Sequence, residues 1–85
     1  MDELVGENLE AIGAALRDAR VNAMRTQSEI GQLAGVSRQL VSRIEQGCNG
    51  EISAYIAVAA ALRYRLTLIR EDAFIDAGPA VLDYV

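Results

Sequence analysis

Arg38, Gln39, Ser42, Arg43 and Gln46 have the most chemistry to offer, because helical spacing sets all five on one arc. An arginine guanidinium can bond guanine O6 and N7 through two parallel donors, and glutamine can do the same to adenine N6 and N7. A serine hydroxyl can reach either a base edge or a phosphate. Arg38 and Gln39 stand in the first turn of that helix, near the positive end of its dipole. Leu40 lies at the border of the arc, placed to pack partly or to touch a thymine methyl. The competing reading is a solvated helix face, the commoner fate of an Arg/Gln/Ser stripe. The elements around the arc have to decide.

Other chemistries drop out early. The chain has no histidine and one cysteine, Cys48. Metal sites of the His/Cys kind and an internal disulfide are thereby excluded, and a nucleophilic triad lacks its base. No enzyme activity and no cofactor are expected. The carboxylates Glu71, Asp72 and Asp76 read as a solvated acidic tail rather than an acid pair or cation site.

Short helices can present such an arc. Leu9, Ile12, Leu16, Ala19 and Ala23 fall on one stripe, which predicts a first amphipathic helix over 9–24. Thr26-Gln27-Ser28-Glu29 is a capping box, with hydroxyl and carboxylate each satisfying the other residue's amide. It starts a second helix running to about Ala34, with Ile30 and Leu33 apolar. Gly35 stops it by taking the left-handed conformation. Ser37 caps a third helix that carries the arc to Gln46, with Val41 and Ile44 inward and Gly47 at its end.

Gly31, inside the second helix, costs up to about 1 kcal/mol relative to alanine. It is expected where a crossing helix packs too closely for a larger side chain. Ser53 is the expected cap of an apolar fourth helix over 54–62. The period then changes: Leu66 and Leu68 lie to one side of Arg65 and Thr67, as in a strand, and Ile69 breaks the alternation. A lone strand leaves its backbone groups unpaired, so pairing with the same strand of a second copy is expected.

Charge sorts along the chain. The net is −4, unusual for a DNA binder, but residues 1–7 carry three acids and no base, and residues 71–85 four acids and no base. Residues 8–70 hold all eight arginines against five acids, a balance of +3. The charge pattern sets an acidic N-terminal extension (1–7) and an acidic tail (71–85) around a mildly basic body, in which a DNA-binding domain (8–63) and a dimerising strand (64–70) are expected. One domain of 85 residues has a marginal core that dimerisation would support. With an acidic start and no apolar run long enough to span a bilayer, a cytoplasmic protein with no membrane association is expected.

The segment TQSEIGQLAGVSRQLVSRIEQG, preceded by IGAALRDAR and followed by an apolar helix, resembles the lambda-repressor-like, Xre-type helix-turn-helix family. The resemblance implies an all-α domain of four to five helices, with a short C-terminal strand paired across a dimer. It implies double-stranded DNA as partner, read at the bases by Arg38, Gln39, Ser42 and Arg43. Gln27, Ser37 and Gln46 would contact phosphate, and Arg20 with Glu45 would tie the first helix to the third. The sequence departs from the family at Gly31, where alanine is usual, and at Met24-Arg25, where a glycine–leucine turn is common. Arg25 there would add a phosphate contact.

The C-terminal RYRLTLIRED is similar to the HipB-type antitoxins, which implies a homodimer joined through Arg65, Leu66, Thr67, Leu68 and Ile69. It also implies a toxin as a possible partner. The expected function is a dimeric transcriptional regulator, most often a repressor. The alternative is a protein-interaction module of the same fold with little DNA binding.

Overall fold

The structure, a computed structural model, describes residues 3–70. Four helices follow in order: α1 (Glu3–Asn22), α2 (Gln27–Ala34), α3 (Arg38–Glu45) and α4 (Ile52–Ala61). α1 packs on α3, and α2 packs on both α3 and α4.

The α2 boundaries follow from local chemistry. Thr26 Oγ1 accepts from the Glu29 amide at 3.0 Å, and Glu29 Oε1 accepts from the Thr26 amide at 2.8 Å, so the capping box is complete. Gly35 ends the helix at φ 75°, and the next amide, of Val36, donates back to the Gly31 carbonyl at 2.9 Å. Three residues separate α2 from α3, and Ser37 caps α3 by accepting from the Leu40 amide at 3.0 Å. Each such cap contributes about 1 kcal/mol.

Leu16, Ile30, Val41, Ile44, Tyr55, Val58, Ala59 and Leu62 form the buried core, one or more from every helix. Burying each large side chain stabilises the fold by roughly 1.5–3 kcal/mol. The Tyr55 hydroxyl donates to the Cys48 carbonyl, fixing the loop that leaves α3. Burial, with the hydrogen bonding at Cys48, pushes the Tyr55 phenol up to about 12.

Several expectations need correction. The first helix begins at Glu3 rather than Leu9 and ends at Asn22, so it takes in residues 3–7 of the acidic extension. α4 begins at Ile52 after Glu51, with no side-chain cap, so Ser53 lies inside the helix and its hydroxyl contacts the Glu51 carboxylate instead. Leu33 is exposed. Gly31 is required, but by its own turn rather than a crossing helix: a Cβ there would stand 2.7 Å from the Val36 carbonyl oxygen.

Among the described residues there is no strand. Residues 64–70 leave α4 without helix, turn or ladder, because a strand needs a partner and the described residues offer none. The tail 71–85, including Phe74 and Ile75, lies outside the described residues.

Candidate nucleic-acid interface

α3 is buried along one face and exposed along the other. Val41, Ile44 and Glu45 are buried, while Arg38, Gln39, Arg43 and Gln46 are exposed and Ser42 is half-buried. Gln46 Nε2 donates to Ser42 Oγ at 3.3 Å, joining these two polar groups across one turn. The four outward side chains have the donors that base edges and phosphates accept.

Three contacts hold this helix in place. Glu45 sits at its C-terminal end with a side chain only 4% exposed. Arg20 of α1 meets it with a fork: Nε donates to Oε2 at 2.6 Å and Nη2 to Oε1 at 3.0 Å. The remaining arm, Nη1, donates to the Arg25 carbonyl at 2.9 Å, pinning the loop between α1 and α2. Gln27 at the start of α2 donates from Nε2 to Glu45 Oε1 at 3.1 Å. One carboxylate thus joins α1, α2 and α3.

Burial raises the Glu45 carboxyl pKa, but the hydrogen bonds from Arg20 and Gln27 and the arginine charges outweigh it, holding Glu45 below the ordinary value. The bond to Glu45 raises Arg20 above its own.

A contact that sequence reasoning missed lies behind α3. A Cβ on Gly13 of α1 would stand 2.4 Å from the Ile44 carbonyl oxygen, 2.9 Å from that of Glu45 and 2.9 Å from the Gly47 amide. Gly47, at φ 80°, returns the approach: its Cβ would meet the Glu10 Cα at 2.8 Å. The two backbones therefore touch, and no side chain intervenes between α1 and the end of α3. The only available signal was a glycine on the apolar side of a helix, which says nothing about what crosses it.

The other candidate residues are placed differently. Ser37 Oγ accepts from the Leu40 amide in the cap, which leaves its O–H proton to donate outward. Arg25 is exposed and stands 3.6 Å from the Glu29 carboxylate, a pairing that solvent weakens. Leu66 packs against the core beside α1, whereas Arg65, Thr67, Leu68 and Ile69 are exposed.

The profile of the helix-turn-helix domain family matches residues 11–71, well over half of the chain. The chain belongs to this family. Its helix-turn-helix is α2, the turn at Gly35 and α3, and the domain is of the DNA-binding kind. No curated protein matches the chain significantly. Among the described residues, no helix of this helix-turn-helix protein is long and apolar enough to cross a membrane.

Proposed function

We propose that this protein is a sequence-specific transcriptional regulator of the Xre type that binds a palindromic operator as a homodimer and represses by occluding a promoter. The observation that carries the reading is the exposed arc of Arg38, Gln39 and Arg43 on a helix clamped at both ends. A rigid helix with free bidentate donors suits the major groove, where each base pair shows a distinct pattern of acceptors and donors.

In this reading Arg38, Gln39, Ser42 and Arg43 meet bases. Gln27, Arg25, Ser37 and Gln46 face phosphates, and the free amides at the starts of α2 and α3 add to them. Gln27 keeps a second amide proton while bonded to Glu45, so the bond orients it without using it up. Two copies set α3 about one DNA turn apart, which doubles a contact set too small for tight binding alone.

Selection of bound duplexes from a random pool tests the reading. A palindromic consensus supports it. Unchanged binding by the Arg38→Ala, Arg43→Ala double variant sinks the assignment of α3.

The net charge of −4 favours a second reading, in which the fold serves protein contact, including that of an autoregulating antitoxin with its toxin. Absence of any selected duplex, with co-purification of a partner protein, would favour it.

A further inference from the structure

In the segment 46–51 that joins α3 to α4, Asn49 is followed directly by Gly50. Both residues are exposed, and neither lies in a helix or turn. Among the described residues, no hydrogen bond engages the Gly50 amide or the Asn49 carboxamide. A nucleophilic nitrogen and an electrophilic carbon thus stand one peptide apart with nothing restraining either. Glycine adds no Cβ to crowd the nitrogen, and its backbone turns into line more readily than any other residue's. The other two asparagines of the chain are placed differently. Asn8 precedes Leu9 inside α1, and Asn22 ends that helix with the Ala23 amide already donating to the Ala19 carbonyl at 3.0 Å.

We propose that Asn49 is a self-modification site, converted through its own backbone into a carboxylate that weakens the hold of α3 on DNA. The effect on DNA rests on the regulator reading above; the chemistry at Asn49 does not. The Gly50 nitrogen attacks Asn49 Cγ, and the new N–Cγ bond closes a five-membered succinimide. The Cγ–Nδ2 bond breaks, and Nδ2 leaves as ammonia with the proton that the Gly50 amide gives up. Water then opens the ring at either carbonyl, giving aspartate or isoaspartate. The balance is amide plus water to acid plus ammonia, so no oxidant and no second protein is required.

Position gives the new charge its consequence. The Cys48 amide donates to the Arg43 carbonyl at 3.0 Å, and the Tyr55 hydroxyl donates to the Cys48 carbonyl. Asn49 therefore follows a residue held against the last turn of α3. Three residues carry the chain from Gln46 to Asn49, a reach of at most about 11 Å, comparable to the Debye length of about 10 Å at 0.1 M salt. A unit charge about 10 Å from a phosphate in water lowers affinity roughly twofold, and two copies in a dimer make that about fourfold at low salt. The fold itself tolerates the acid, which lies just before α4 at the helix end that favours negative charge.

Incubation of the full chain at mildly alkaline pH, followed by peptide mass spectrometry, tests the chemistry. Asn49 is expected to gain the mass difference between an amide and an acid while Asn8 and Asn22 stay intact. Gly50→Ala should slow that gain about tenfold. A Cβ at this position would lie 3.5 Å from Cys48 Sγ, an ordinary contact, so the variant keeps the fold. Asn49→Asp should bind duplexes selected by the fresh parent chain about fourfold more weakly at low salt, and the gap should close as salt rises. The aged parent chain should weaken alongside it, and the aged Gly50→Ala chain should not.

No mass gain at Asn49, or a gain as fast in Gly50→Ala, overturns the modification site. An Asn49→Asp chain of parental affinity at low salt overturns its effect on DNA, and leaves the regulator reading standing if Arg38→Ala with Arg43→Ala still abolishes binding. A fresh parent chain that selects no duplex overturns that effect together with the regulator reading, while the mass gain at Asn49 stands or falls by itself.

Discussion

Arg20 and Glu45, twenty-five residues apart, meet in a two-point fork with Nε–Oε2 at 2.6 Å and Nη2–Oε1 at 3.0 Å. The planar guanidinium matches the carboxylate plane, so the contact sets orientation as well as distance. It fixes the end of α3 against α1, and through Nη1 and the Arg25 carbonyl it also fixes the approach to α2. The exposed arc of Arg38, Gln39 and Arg43 thus inherits its position from a pair that never faces outward.

Arg20→Ala is expected to cost about 3 kcal/mol, because among the described residues it leaves a buried carboxylate with Gln27 as its remaining hydrogen-bond donor. Urea denaturation reads this as a lower midpoint at unchanged slope. A loss below about 1 kcal/mol would place the pair with ordinary surface bridges.

The pair also sets an acid limit. Glu45 has its folded pKa held below the ordinary value of 4.5. A depressed carboxylate stabilises the fold above its unfolded pKa, and that contribution is lost as pH falls through the folded value. Stability should therefore drop below about pH 4.5, and Glu45→Gln should flatten the drop while lowering the neutral plateau. Melting temperatures across pH 2.5–7 measure both effects. Glu29, lowered chiefly by the backbone amide of Thr26, leaves a residual slope in the variant.

Gly13→Ala tests the backbone contact. Helix propensity alone favours alanine by about 1 kcal/mol. The added Cβ would stand 2.4 Å from the Ile44 carbonyl oxygen, and backbone cannot yield as a flexible side chain does. The net result should be destabilisation of about 2 kcal/mol, with α3 pushed away from α1. Amide shifts confined to α1 and to residues 44–47 would locate the strain; a more stable variant would show that the approach is looser.

The parts legible in the sequence are those set by neighbours along the chain. Thr26 and Glu29 announce their box because both halves lie within four residues, and Gly35 announces its turn because few other residues take that conformation. The arc on α3 is visible because periodicity alone defines it. Gly13 is different, since its requirement comes from carbonyls more than thirty residues away. The start of α4 was misplaced because Ser53 is a good cap by type, yet the apolar run extends back to Ile52. The alternation over 65–69 is real in sequence, but a ladder is a property of two segments.

Met24 occupies a backbone position that suits glycine. It stands at φ 60° and is 89% exposed, so strain is borne with little packing in return. Met24→Gly removes about 1 kcal/mol of strain and returns part of it through greater unfolded-state entropy. A net gain of about 0.5 kcal/mol is expected in thermal unfolding, with DNA affinity unchanged. A loss would mean that Met24 makes a stabilising contact that the single chain does not show.

Arg25 offers the cleanest separation of phosphate contact from base reading. It is exposed, it lies outside α3, and its tie to Glu29 at 3.6 Å is weak enough to give up. Each phosphate neutralised contributes about −0.9 to the slope of log affinity against log salt. In a dimer Arg25→Ala removes two such contacts, so the slope should shallow by about 1.8. Binding should weaken alike on cognate and scrambled duplexes. Arg43→Ala, by contrast, should cost about 1–3 kcal/mol on the cognate duplex and much less on the scrambled one, because a base contact is lost. Titrations of both variants on both duplexes at several salt concentrations supply the comparison. Equal loss on the two duplexes for Arg43→Ala would move that residue from the bases to the backbone.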